Sequence, residues 1–203
     1  MNNRRGIFLT SVVGKVFEKV LLQKVTKDIK IDKHQNGEVK GRSTKDNWLA
    51  LMAVMDMNRQ LKRNTYVLFA DAEKCFDKLW MEDCVTDIVE NGLREREAML
   101  LYTMNRNAQM KVRTPCGDTE TFNIEKVVKQ GTIFGPILCC SSTSKIIELG
   151  EPTGMIVAPN TELNSLIYVD DIAMAGRRTD VEKVGHKLRL MEDEKKIRLT
   201  LTR

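Results

Sequence analysis

Three carboxylates stand where the chain passes from apolar to polar, and their placement is the strongest hint of chemistry. Asp71 ends the run Tyr66-Val67-Leu68-Phe69-Ala70, and Asp170-Asp171 separate Leu166-Ile167-Tyr168-Val169 from Ile172-Ala173-Met174. A carboxylate at the edge of an apolar sheet is costly unless it is solvated, paired or holding a cation. If the strands ending at Asp71 and Val169 are sheet neighbours, Asp71, Asp170 and Asp171 converge on one end. Such a cluster suits two Mg²⁺ ions about 3.5–4 Å apart and an in-line phosphoryl or nucleotidyl displacement. Asp also favours turns, so the same pair reads equally as a solvated tight turn.

The elements that must position these residues follow from the hydrophobic spacing. Val13, Phe17, Val20, Leu21 and Val25 predict a helix from Thr10 to about Ile29. A polar loop with two glycines covers His34 to Arg42, after which Ser43 or Thr44 caps a second helix with Asp46 in its first turn. The run Tyr66 to Ala70 is short, continuous and apolar, which predicts a buried strand. Helices are expected after Asp77, stopping at Gly92, and again from Arg94 to about Asn107. Gln109–Thr114 and Thr119–Val128 alternate around Pro115-Cys116-Gly117-Asp118, the pattern of a hairpin. Pro136 opens a helix to about Leu149. Strands follow at Met155–Ala158, Leu163–Val169 and Ile172–Gly176, then a helix from Thr179 to about Lys196. The order predicts an α+β chain whose antiparallel sheet is backed by helices.

Composition narrows the classes. With 42% hydrophobic and 30% charged residues in 203, the chain has a globular composition and room for one core or two small lobes. No apolar run approaches the roughly 20 residues of a bilayer span, and the apolar stretch near the start is broken by Lys15, Glu18 and Lys19. The expectation is no membrane. Lys and Arg exceed Asp and Glu by 33 to 28, a mild excess compatible with a polyanionic partner. Five cysteines, two of them adjacent at 139 and 140, fit a reducing intracellular setting better than a disulfide framework. His34 and His186 lie far apart with no CxxC nearby, which argues against zinc.

Read together, Phe69-Ala70-Asp71-Ala72-Glu73-Lys74-Cys75-Phe76-Asp77, Gln130-Gly131-Thr132-Ile133-Phe134-Gly135-Pro136-Ile137-Leu138 and Tyr168-Val169-Asp170-Asp171 closely resemble the core motifs of reverse transcriptases, in that order. Arg5-Gly6-Ile7-Phe8-Leu9-Thr10-Ser11-Val12-Val13-Gly14-Lys15 and Gly41-Arg42-Ser43-Thr44-Lys45-Asp46 look more narrowly like retrotransposons without long terminal repeats, the LINE-type elements. The resemblance implies a polymerase palm-type sheet over residues 65–203 and part of the fingers over 1–64. It further implies RNA-directed DNA synthesis, with an RNA template, a DNA primer, deoxynucleoside triphosphates and two Mg²⁺ ions, Mn²⁺ serving as a substitute.

It implies residue roles as well. Asp71 and Asp170 would be the principal catalytic metal ligands, with Asp171 the weaker third carboxylate. Ala72 would belong to the stretch whose backbone N–H groups face the triphosphate, and Phe76 would stand beneath the sugar, where a flat ring clashes with a ribose 2′-hydroxyl. Gln130 and Gly131 would lie along the incoming nucleotide, with glycine permitting close backbone approach. Arg5 would meet the triphosphate, Arg42 the template phosphates, and Tyr168 the primer end. Without the family, Phe76 and Tyr168 read as core aromatics and Arg5 and Arg42 as solvated residues.

Some positions depart from the pattern. Glu38 and Val39 follow Gly37 where an aromatic and a basic residue are common, and Gly135 stands where serine is commoner. Measured against the family, the chain begins inside the first fingers motif and ends before the thumb. The rival expectation is a catalytically silent retroelement remnant that binds nucleic acid through its basic surface. A palm-type RNA-dependent RNA polymerase is a third, disfavoured by Phe76 and by Tyr168-Val169. A retroelement enzyme must reach chromosomal DNA, which makes the nucleus a plausible location, but the sequence shows no clear nuclear-import run and leaves localisation open.

Overall fold

The computed structural model describes residues 7–72, 75–124, 128–129, 131–148, 155–158, 161–163, 165–195 and 199–202. The first half runs through helices α1 (Val12–Val25) and α2 (Thr44–Gln60), strand β1 (Tyr66–Ala72), the one-turn helix α3 (Cys75–Lys78), and helices α4 (Met81–Glu90) and α5 (Glu95–Asn105). Four two-residue strands come next, β2 (Gln109–Met110), β3 (Arg113–Thr114), β4 (Gly117–Asp118) and β5 (Phe122–Asn123). Helix α6 (Gly135–Glu148), strands β6 (Met155–Ala158), β7 (Thr161–Leu163), β8 (Ser165–Tyr168) and β9 (Asp171–Gly176), helix α7 (Arg178–Lys195) and strand β10 (Leu199–Thr202) complete the chain. The chain divides into two compact units, one of Ile31–Cys75 with Cys139–Arg203 and one of Met1–Lys30 with Phe76–Leu138.

The first of these units is built on an antiparallel sheet in the order β10-β1-β9-β8. Strand β1 alternates: Leu68, Ala70 and Ala72 are buried, while Tyr66, Phe69 and Asp71 are exposed. The expectation of a buried strand is therefore corrected to a half-buried one. Its apolar run is continuous because Phe69 also lines a groove, described below. Ile172 and Met174 of β9 are buried as well, each such side chain contributing about 1.5–3 kcal/mol. Helix α7 packs on β1, β9 and β10, and α2 packs on β6 and β8.

Helix α2 begins as expected at Ser43, whose N–H and Oγ both donate to Asp46 Oδ2, at 2.6 and 3.0 Å, a reciprocal N-terminal arrangement that fixes the helix start. The stretch before it is not the solvated loop its composition suggests. Residues 34–36 run parallel to β8, with Ile167 N–H donating to His34 O at 3.0 Å and Asn36 N–H donating to Ile167 O at 2.9 Å. They cover an edge that would otherwise present unpaired backbone groups.

In the second unit, α4 packs on α5 through Cys84 and Ile88 on one helix and Ala98 and Leu101 on the other, all buried at the helical i, i+4 and i, i+3 spacings. Helix α1 is shorter than the predicted Thr10–Ile29 and buries Glu18, Leu21 and Val25, leaving Val13, Phe17 and Val20 exposed. The expected hairpin is real but broken into two ladders, β2 with β5 and β3 with β4. Among the described residues no helix is long and apolar enough to cross a membrane.

Candidate active site

The register of β1 and β9 places Asp71 directly opposite Asp171. Opposed residues of an antiparallel pair share a face with Cβ atoms about 4.5–5.5 Å apart, and like charges there are destabilising. Burial, and after it the Asp71 charge, raise the Asp171 carboxyl above the ordinary carboxylate range. Two acids are thus held against their mutual repulsion at one end of the sheet, an arrangement that a cation relieves.

Asp170 sits in the two-residue turn that joins β8 to β9, between the paired residues Tyr168 and Asp171. Val169, the other turn residue, has φ of +60°. A positive φ at the first central position is the pattern of a II′ hairpin turn, where glycine is the usual occupant. A β-branched residue there is strained, by about 1–3 kcal/mol. The surroundings hold it. Val169 N–H donates to Gln35 Oε1 at 2.9 Å, and Val169 O accepts from Gln35 Nε2 at 3.2 Å and from Thr143 Oγ1 at 2.6 Å.

Asp71, Asp171, Phe69, Tyr168, Asn47, Trp48 and Leu51 line an open groove of about 470 Å³ on this unit. Trp48 is exposed, Phe69 is exposed and Tyr168 is half-buried, so aromatic faces and carboxylates share one trough. Aromatic faces of this kind stack nucleic-acid bases without regard to sequence.

Beneath the turn lie thiols that stay protonated. Cys140 is pushed up to about 12, by burial first and then by the nearby carboxylates of Glu38 and Asp170. Cys139 is raised further, chiefly by its hydrogen bond with Cys75, their Sγ atoms lying 3.3 Å apart. The oxygens of Asp71, Asp170 and Asp171 are thus donors for a cation at this end of the sheet. Among the described residues no three acidic, histidine or cysteine side chains close as a metal-holding group. Mg²⁺ is commonly held by one or two carboxylates together with substrate phosphates rather than by an all-protein cage, and the Asp71–Asp171 pair suits that mode.

The remaining predicted site residues fall as follows. Ala72 is buried at the end of β1, paired with Leu199 of β10. Arg42 donates from Nη1 to Lys33 O at 2.9 Å and Gln35 O at 3.1 Å, so it ties down its own loop. Phe76 is half-buried in α3 and belongs to the other unit. Gly131, in that unit too, has φ of +113°, and a Cβ there would lie 2.6 Å from Phe8 O. Its loop is anchored by Glu18, which is buried and accepts the Ile133 N–H at 2.7 Å. Lys129, at the start of that loop, has its pKa lowered by burial, partly offset by Glu18. Arg5 and Gln130 lie outside the described residues.

Sequence reasoning missed Gln35, Thr143 and Trp48. Gln35 is fully buried in a stretch whose composition is that of a solvated loop, and its partner lies 134 positions away. No local periodicity announces such a pair. Trp48 lies on α2 away from its buried positions Val54 and Asn58, and a tryptophan directly after the polar Asn47 is the signal the sequence offers.

A model of the family described as reverse transcriptase (RNA-dependent DNA polymerase) matches residues 1–199. No curated protein gives a significant match. Among solved structures, apo telomerase from Candida tropicalis is similar over 94% of this chain and 36% of its own, at 13% identity and a TM-score of 0.61. The form of it truncated from the C-terminal domain is similar over 94% and 40%, at 14% identity and a TM-score of 0.59. Candida tropicalis telomerase in complex with a fragment of telomeric RNA is similar over 95% and 33%, at 17% identity and a TM-score of 0.61. The chain thus spans 33–40% of the length of these structures, and at such identities the likeness is one of fold: a polymerase-type antiparallel sheet with helices.

Proposed function

We propose, for a chain that belongs to the reverse transcriptase (RNA-dependent DNA polymerase) family, that it is the palm and part of the fingers of an RNA-directed DNA polymerase from a retrotransposon without long terminal repeats. The observation that carries the reading is the in-register Asp71–Asp171 pair beside Asp170, at the mouth of a groove lined by aromatic residues. The narrower retrotransposon origin is supported by the segments from Arg5 to Lys15 and from Gly41 to Asp46.

In this reading Asp71, Asp170 and Asp171 hold two divalent ions, Mg²⁺ or Mn²⁺. Bound there, the ions supply Lewis acidity to the primer 3′-hydroxyl and the triphosphate. The primer 3′-oxygen displaces pyrophosphate from the α-phosphorus of a deoxynucleoside triphosphate, extending a DNA primer on an RNA template. Trp48, Phe69 and Tyr168 offer stacking faces to the strand in the groove. Phe76 excludes a ribose 2′-hydroxyl, and Arg5, Ala72, Gln130 and Gly131 serve the incoming nucleotide. Arg42 fixes the loop that carries Gln35 and leaves further guanidinium donors for template phosphate.

The test is single-nucleotide extension of a DNA primer on RNA with each deoxynucleotide, in Mg²⁺ and in Mn²⁺. Extension confined to templated deoxynucleotides supports the reading. A folded wild-type chain that retains primer-template yet extends nothing would leave a nucleic-acid-binding remnant. Preference for ribonucleotides would overturn both the deoxynucleotide specificity and the role of Phe76.

A further inference from the structure

We infer that Gln35, with Gly37 and Thr143, is a positioning clamp that holds the strained Val169–Asp170 turn and thereby fixes the catalytic carboxylate; the inference rests on the proposed polymerase reading of that turn. The amide of Gln35 meets Val169 as one rung of a β-ladder would, accepting its N–H at 2.9 Å and donating to its carbonyl at 3.2 Å. Oε1 of the same amide also accepts Gly37 N–H at 2.8 Å, which fixes its orientation. Thr143 closes the other side, its hydroxyl 2.6 Å from Val169 O and within reach of Gln35 Nε2 at 3.5 Å. Gln35 is fully buried, so an unmade bond there carries the full desolvation penalty.

Gly37 is part of the same device. A Cβ at 37 would lie 2.5 Å from Val169 N, 2.7 Å from Val169 Cγ2 and 2.9 Å from Gln35 Oε1. Any larger residue would wedge the clamp off the turn. The strain at Val169, φ +60°, is what gives the clamp a function: a glycine would take that φ freely, whereas valine stays there only when held. Because Asp170 is the next residue, release of Val169 swings the carboxylate. A displacement of about 1 Å at a catalytic group lowers turnover by roughly 10²-fold.

The experiment is a double-mutant cycle on the full chain with Gln35→Met, Val169→Gly and their combination, read by single-nucleotide extension and by thermal unfolding. Gln35→Met is expected to lower kcat by about 10²-fold while the KM for the deoxynucleotide stays within about threefold. Adding Val169→Gly is expected to restore about tenfold of that loss, because glycine removes the strain the amide had opposed. The fall in Tm caused by Gln35→Met is expected to shrink in the Val169→Gly background. Should Gln35→Met not fold, Thr143→Val carries the test: it keeps the shape of the side chain but cannot donate to Val169 O.

Equal losses of kcat and of Tm in both backgrounds would overturn the clamp and reduce Gln35 to packing. A rise in KM with kcat unchanged would overturn the positioning role. If the wild type folds but extends no primer, the polymerase reading falls with the catalytic part of the inference. The Tm cycle then still decides the clamp itself, coupling supporting it and additivity overturning it.

Discussion

Among the loops that leave the ordinary backbone conformations, two do so by opposite means. Gly131 has φ of +113° against the Phe8 carbonyl, a conformation glycine reaches without steric penalty. Val169 has φ of +60° with a branched side chain and stays there because Gln35 and Thr143 hold its peptide groups. The first loop is permitted; the second is enforced. A permitted turn can still sample other conformations, whereas an enforced one has its neighbour's direction fixed. The residue that completes the enforced turn is Asp170, the one whose placement governs the proposed chemistry.

The largest expected effect probes what the enforced turn carries. Asp170→Asn should lower primer extension by about 10³-fold or more, since several kcal/mol of transition-state charge stabilisation is lost. Folding should be intact by circular dichroism. The permitted loop is broken by Gly131→Ala, which places Cβ against Phe8 O and strains φ. It should destabilise the chain by about 1–3 kcal/mol, read as a drop of several degrees in Tm. The reverse exchange at the enforced turn, Val169→Gly, should change stability by less than about 1 kcal/mol, because relief of strain offsets the added freedom of the unfolded chain. A large loss there would mean that Val169 is permitted after all, and the contrast would dissolve.

The smallest effect concerns Lys129, which leads into the permitted loop. Burial lowers its pKa below the ordinary 10.5, so the folded state binds its proton less tightly than the unfolded state does. The penalty is complete below the folded pKa and vanishes as pH rises past the ordinary value. Lys129→Met should therefore stabilise the chain at pH 7 by up to about 0.5 kcal/mol. The gain should fade toward pH 10.5 in thermal melts across that range.

Much of this geometry was legible in the sequence where local rules govern. Ser43 and Asp46 announced the start of α2, and alternating or continuous apolar runs located β1, β8 and β9 around their aspartates. The order of the motifs pointed to a family that matches residues 1–199. Elements whose form is set by distant partners were harder to read. The half-exposure of β1 depends on the groove face, which the run Tyr66 to Ala70 does not disclose. Strand β10 pairs with β1 from the far end of the chain, Ala70 with Leu201 among the pairs, and Leu199-Thr200-Leu201-Thr202 is too short to declare a partner. The hydrogen bonds of Gln35 and Thr143 to Val169 are long-range contacts inside the fold, and each residue taken alone is an ordinary polar one.

The proposed divalent-cation site of Asp71, Asp170 and Asp171 at the end of the sheet can be tested apart from catalysis. Mn²⁺ titrated into the folded chain with a primer-template and a nonhydrolysable deoxynucleoside triphosphate can be followed by electron paramagnetic resonance, beside Asp71→Asn and Asp170→Asn. Bound Mn²⁺ is expected in the wild type, with loss or marked weakening in each variant while Tm is maintained. Binding of equal strength in the wild type and in both folded variants would contradict the proposed site.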